Sequence, residues 1–174
     1  WAIGDGVKKL NLARLMVGAQ GTLGLITRIR FTLVRPKAYS SMVVVFLNDL
    51  KELGTVIQRT LLHEPDSFES YDDHTFTLAT KYFPELAVQM RLGLFKLGIS
   101  FLPEVFMLLT GGIPKLVLMA EFRADTQAEA LTKAETLAGE IQKEHPHMRV
   151  RVAKNEAAAR KYWVVRRESF SLLR

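Results

Sequence analysis

Residues 42–47 read Met-Val-Val-Val-Phe-Leu, an unbroken apolar run. A short run of this kind, rich in valine, is typical of a strand that is buried on both faces. Asn48 or Asp49 is the predicted cap of a helix that follows. Apolar residues recur at helical spacing in that helix, at Leu50, Leu53, Ile57 and Leu61. Glu64-Pro65 ends the helix and residues 67–71 predict a second strand, which completes a β-α-β unit.

A second β-α-β unit follows further along the chain. Residues 115–122 predict its first strand, and Thr126 with Glu129 form a capping-box pair at the start of a helix. Residues 148–152 alternate between apolar and basic, which predicts the closing strand. Two such units in tandem predict an α+β fold, a ferredoxin-like split β-α-β sheet with its helices on one face. Between the units, residues 72–114 predict a helical insertion.

Upstream of these units, three glycines recur at a spacing of three, at Gly18, Gly21 and Gly24. Glycine permits positive φ and close approach of a ligand to the backbone. Residues 25–34 alternate with a period of two, which predicts a strand after the glycines. Dinucleotide-binding and Walker loops lead into a helix and have different spacings, so neither is indicated. Spacing alone favours a turn without a ligand.

The identities of residues 15–27 say more than their spacing. This segment resembles the end of the FAD-binding domain in FAD-linked oxidases of the D-lactate and glycolate dehydrogenase type, which are vanillyl-alcohol-oxidase-like flavoproteins. That family usually reads G-S-E-G-T-L-G-I-I-T here, and this chain departs from it at Ala19 and Gln20. The resemblance implies FAD as the cofactor. The flavin-contacting residues that it implies are Gly18, Gly21, Thr22, Gly24, Ile26 and Thr27.

A second segment, residues 162–170, resembles the W-x-x-R element in the C-terminal domain of the same family. It lies in a predicted helix from Glu156 to Leu173, which Asn155 caps. The resemblance implies that Arg166 binds the carboxylate of a 2-hydroxy acid. An arginine fork suits a carboxylate, although an arginine lying over a core tryptophan is the simpler structural alternative. No residue is predicted as a catalytic general base.

Together the two segments imply that residues 1–36 end a FAD-binding domain and residues 37–174 form a truncated C-terminal cap domain. The chain starts at Trp1, so we expect a fragment that is inactive alone and needs the missing parts of the same polypeptide. The implied reaction is hydride transfer to flavin from a small D-2-hydroxy acid such as lactate or glycolate. The electron acceptor stays open.

The composition excludes some other classes of function and leaves one open. The chain has no cysteine, which excludes structural disulfides, thiolate metal sites and a cysteine nucleophile. Its net charge of +6 leaves open an alternative function, a non-enzymatic ferredoxin-like binding module with a basic surface for an anionic partner. No RNA-binding or zinc-finger signature accompanies the basic residues, so a nucleic-acid partner is not expected.

The remaining polar and apolar motifs have structural interpretations. His145 and His147 could suggest a metal pair, but a surface loop is favoured and no metal is predicted. Glu69, Asp72 and Asp73 are interpreted as caps and solvated ends of elements. Residues 92–109 are strongly apolar but are interrupted by charges, so no spanning helix is expected. A cytoplasmic location is expected, with peripheral contact at the inner membrane face left open.

Overall fold

The structure is a computed structural model that describes residues 11–75, 77 and 112–168. By its internal contacts the chain divides into two units, Trp1–Arg35 and Pro36–Arg174. The first unit contains helix α1 (Leu12–Met16). The second contains, in chain order, β1 (Tyr39–Leu47), α2 (Leu53–Leu62), β2 (Ser67–Asp72), β3 (Leu116–Ala124), α3 (Gln127–Glu144), β4 (Arg149–Ala153) and α4 (Glu156–Glu168).

The four strands form one sheet in the order β2-β3-β1-β4. Each neighbouring pair is antiparallel, and Val43 lies opposite Ala120 on one side and Val152 on the other. Because β1 and β2 both run against β3, they point the same way, so the two β-α-β units interleave. This is the ferredoxin-like arrangement, and the predicted α+β fold class is confirmed.

Helices α2 and α3 cover one face of the sheet. Val43, Val45 and Leu47 point toward them, and Leu137 and Ile141 of α3 are fully buried against these strands. Thr126 caps α3 as predicted, because its Oγ1 accepts a hydrogen bond from the Glu129 N–H at 3.2 Å, while the Glu129 carboxylate pairs with Lys133 at 3.1 Å. We refer to this side as the helix-pair face.

Helix α4, which follows the second β-α-β unit, packs on the opposite face of the sheet, whereas the helices of the two units, α2 and α3, share one face as predicted. Met42, Val44 and Phe46 point toward α4 and form a second core with its Ala159 and Tyr162. The apolar run in β1 explains this arrangement. A strand whose side chains are apolar on both faces must be covered on both faces. Asn155 caps α4 as predicted. We refer to this side as the α4 face.

Helix α2 begins later than its apolar spacing predicts. Asp49 Oδ1 accepts a hydrogen bond from the Lys51 N–H at 2.6 Å, and residues 49–52 form turns. This local bond stabilises a turn in place of the first helical turn. Leu50 is therefore outside the helix, and Glu52 stands at the N-cap position without a side-chain capping bond.

The strand predicted over residues 25–34 is not formed within the described residues. The alternation of side chains is that of an extended chain, but a strand also needs a partner for its backbone hydrogen bonds. The apolar side chains of Leu25, Phe31 and Leu33 are exposed. The assignment of residues 1–36 to a FAD-binding domain stays a prediction.

Only the start of the predicted helical insertion can be described. Residues 73–75 and 77 are helical, and Asp72 Oδ1 accepts a hydrogen bond from the Thr75 N–H at 2.9 Å, as expected of a cap. The apolar stretch 92–109 and the end of the last predicted helix lie outside the described residues. Within the described part of the chain, no helix is long and apolar enough to cross a membrane.

Candidate carboxylate site on the α4 face

The orientation of α4 is fixed by its buried residues. Tyr162 is 4% exposed and meets Phe46 of β1 edge-on, with ring centroids 6.5 Å apart. Val165 is also buried in this core. Helical spacing then places Trp163 and Arg166 at the edge of the packed surface, and Trp163 packs partly against the core.

Arg166 meets a carboxylate from the far edge of the sheet. Its Nε lies 3.1 Å from Oε2 of Glu69, which stands on β2. The side chains of Arg166 and Glu69 are 29% and 40% exposed, so solvent screens the pair and its contribution to stability is small. These two residues, with Trp163 and Arg167, line a cleft of about 340 Å³.

A second charged pair lies on the same face of the sheet. Glu121 of β3 is 6% exposed at its side chain and lies 3.3 Å from the Arg123 Nε. In the strand register Glu121 stands opposite Ser67, two residues along β2 from Glu69. Asp66 Oδ2 accepts a hydrogen bond from the Arg123 N–H at 2.7 Å. This end of the α4 face therefore carries alternating acidic and basic groups, whereas the part under α4 is apolar.

Glu69 is the site residue that sequence reasoning missed. Its interpretation as a cap or solvated end is wrong, although the same interpretation holds for Asp72. The available signal was the period of two in β2, which puts Glu69 on the same face as buried Tyr71. Its pairing with Arg166 depends on the register of β2 and on the face that α4 covers, and neither is written in the local sequence.

The glycine loop belongs to the first unit and is described by itself. The backbone has φ of +80° at Gly18, +78° at Gly21 and +156° at Gly24, a region that side chains disfavour. The Thr22 N–H and Oγ1 both donate to the Ala19 carbonyl, at 2.9 and 2.6 Å, which closes the turn.

This loop fits a ligand that is held by backbone groups. Apart from the adjacent residues, no atom of the described chain lies within 4 Å of the place where a Cβ would stand on Gly18 or Gly21. Within the described residues, the N–H groups of Gly21 and Gly24 donate no hydrogen bond. Thr22 uses its hydroxyl inside the turn, while Ile26 and Thr27 follow in extended, exposed backbone. The flavin-contact roles of these residues stay predictions.

The histidine pair has a carboxylate between its members. Glu52 lies 3.0 Å from His145 Nδ1 and 2.8 Å from His147 Nε2. Partial desolvation raises the pKa of Glu52, but the hydrogen bonds from both histidines outweigh it and the pKa falls below its usual value. Among the residues that the structure describes, no group of three or more histidine or acidic side chains is arranged to hold a metal ion.

Comparison with protein families identifies the larger of the two units. The family model described as FAD linked oxidases, C-terminal domain, matches residues 36–174. The chain belongs to this family. FAD is therefore the cofactor of the full-length protein, which is an FAD-dependent oxidoreductase. No curated protein matches the chain.

Proposed function

We propose that the full-length protein oxidises a small D-2-hydroxy acid of the lactate or glycolate type, and that Arg166 binds the carboxylate of this acid. One observation carries the proposal: Arg166 already holds a carboxylate, that of Glu69, at 3.1 Å. The contact lies in a cleft walled by Trp163. A guanidinium presents its N–H donors in a planar fork whose geometry matches a carboxylate.

Glu69 acts in this proposal as a positioning residue. The arginine side chain is long and has many rotamers, so an isolated Arg166 would lose entropy on binding an acid. The ion pair with Glu69, which is a close approach without hydrogen-bond geometry at Nε, draws the guanidinium toward β2 before the substrate arrives.

The reaction removes a hydride from C2 of the acid and a proton from its hydroxyl group, leaving a 2-oxo acid, and the proton passes to solvent water. Bound FAD supplies the acceptor for the hydride. The residues of this chain hold the acid: Arg166 fixes its carboxylate, and the ring of Trp163 shields one side of the contact from water. Fixing the carboxylate restricts the rotation of C2, which is the usual benefit of a positioned anchor.

Contact with the cofactor is assigned in this proposal to the glycine loop. The backbone N–H groups of Gly21 and Gly24 would donate to FAD, and positive φ at Gly18 and Gly21 keeps the turn open for it. Thr22 would act through the turn that it closes. Ile26 and Thr27 would contribute backbone along the extended segment that follows.

The test is a visible spectrum of the purified full-length protein under anaerobic conditions. We expect a flavin spectrum that bleaches on addition of D-lactate or glycolate, and more slowly with L-lactate. Arg166→Ala should keep the flavin and lower kcat/KM by about ten- to a hundredfold, the cost of a lost charge-assisted hydrogen bond. A yellow protein that none of these acids reduces would contradict the substrate class.

A colourless protein would favour the alternative, a non-enzymatic module with a basic surface. Such a module should bind anionic partners with an affinity that falls as salt rises. The family match to residues 36–174 supports the flavoprotein in preference to this alternative.

A further inference from the structure

A second, larger cleft lies beside the candidate carboxylate site. Its volume is about 590 Å³, within the usual range for pockets that hold small organic ligands. It opens between the start of β1 and the first turns of α4. Trp163 and Arg167 line both clefts, while Ser40, Gln127, Glu156 and Arg160 line only the larger one.

The charge of this cleft favours an anion. Arg160, Trp163 and Arg167 are spaced by three and four residues, so they lie along one side of α4. Among the described residues, no carboxylate forms an ion pair with Arg160 or Arg167. One acidic side chain, Glu156, stands at the rim against these two cations. The N-terminal end of α4, which carries a partial positive charge, borders the same space.

A buried hydroxyl without a partner marks the wall of the cleft. Ser40 is 4% exposed, and its Oγ has no hydrogen-bond partner within the described residues. The neighbouring Ser41 is fully satisfied, because its Oγ donates to the Lys154 carbonyl and accepts from Gln127 Nε2. A buried polar group that stays unpaired is destabilising, so such a group usually has a use.

We propose that this cleft binds a small organic oxyanion at a site separate from Arg166. Arg160 and Arg167 hold its charged group, the Ser40 hydroxyl donates to one of its oxygens, and Trp163 packs against its body. Guanidinium groups recognise carboxylate and phosphate by the same planar donors, so the charged group belongs to one of these two classes. The site does not depend on oxidation of a hydroxy acid.

The test is calorimetric titration of the full-length protein carrying Arg166→Ala, which removes the proposed substrate anchor. Succinate and inorganic phosphate are titrated separately at constant ionic strength, with neutral succinamide as the reference ligand. We expect saturable binding of at least one of the two anions and none of succinamide. The tighter of the two anions identifies the class of the charged group.

Three further variants in this background locate the binding. Arg160→Gln and Ser40→Ala should each weaken the anion about tenfold or more, the effect of losing a hydrogen bond to a charged group. Lys143→Gln removes the same charge as Arg160→Gln, but at the exposed last turn of α3, about 24 Å along that helix from Gln127. This control should bind as tightly as its parent.

Thermal unfolding without ligand separates a binding role of Ser40 from a structural one. If the hydroxyl serves a ligand, Ser40→Ala should leave Tm unchanged or raise it by about 2–4 °C. A lower Tm would show that the hydroxyl supports the fold. The proposal is overturned if neither anion binds, or if Lys143→Gln weakens binding as much as Arg160→Gln. Loss of flavin from the parent protein would instead count against the proposed function.

Discussion

The two faces of the sheet are formed by the same strands but carry side chains of different character. On the helix-pair face, β1 and β3 present mainly apolar side chains that pack against α2 and α3, and the buried polar exception, Ser41, is hydrogen-bonded to Gln127 of α3. On the α4 face, the sheet is apolar under α4, and polar side chains follow beyond the helix at Ser40 of β1, Glu69 of β2 and Glu121 of β3. Among the described residues, the candidate groups for binding a charged ligand lie on the second face.

This difference suggests that one face of the sheet contributes mainly to folding stability and the other mainly to ligand binding. Ion pairs and unpaired hydroxyls near a core contribute little stability or reduce it, and proteins keep them where they serve a function. We therefore expect substitutions on the helix-pair face to change folding. Substitutions at the polar end of the α4 face should change binding and leave the fold intact.

The largest effect should come from the helix-pair face. Phe122 is 1% exposed and packs between β3 and the helices, so Phe122→Ala should lower the free energy of unfolding by about 3–5 kcal/mol. Urea unfolding followed by circular dichroism measures this change. Arg166→Ala is the control and should change stability by less than about 1 kcal/mol. Equal losses for the two variants would remove the distinction between the faces.

A smaller effect should show whether Glu69 acts through Arg166. Glu69→Ala leaves the guanidinium without its anchor on β2, so KM for D-lactate should rise about three- to tenfold in the full-length protein. In the Arg166→Ala background the same change should have no further effect, because its action passes through the arginine. Glu135→Ala, at an exposed position of α3, is the control. Additive losses in the double variant would show that Glu69 does not act through Arg166.

The smallest effect concerns an ion cluster between α2 and α3. The hydrogen bond from His63, at 2.9 Å, lowers the pKa of Glu140 from its usual 4.5, and the charges of His63 and Arg59 add to this. A lowered pKa adds stability above pH 4.5, and this is lost as the pH falls through the native value. The difference in unfolding free energy between the wild type and Glu140→Gln should therefore shrink in acid.

Chemical unfolding at about pH 7 and about pH 3 measures this difference. The matched variant Glu135→Gln should show a difference that does not change with pH. If Glu140→Gln and the wild type differ equally at both values, the carboxylate makes no pH-dependent contribution to the helix-pair face.

Local patterns predicted most of the second unit. The valine run of β1 and the helix caps at Thr126 and Asn155 each have a short-range physical cause, and the structure confirms them. The patterns could not tell which face α4 covers, since its apolar stripe fits either side of the sheet. They also predicted a strand over residues 25–34, because alternation reports an extended chain and not a hydrogen-bonded partner.

The candidate site was predictable only in part. Arg166 was predicted from the resemblance of residues 162–170 to the W-x-x-R element of the family, and the flavin-contact roles of Gly18 and Gly21 from the resemblance of residues 15–27; both stay predictions. Glu69 and Ser40 carry no motif. Their position at the candidate site depends on strand register and helix packing, which bring distant segments together. Neither can be inferred from the local sequence.

The central claim is that Arg166 recognises the carboxylate of the substrate. The most direct measurement is the ratio of kcat/KM for D-lactate to that for D-lactamide, which has the same shape without the charge. In the wild-type protein this ratio should be about tenfold or more, and in Arg166→Ala it should fall close to one. A ratio that Arg166→Ala leaves unchanged would contradict the claim and place carboxylate recognition elsewhere.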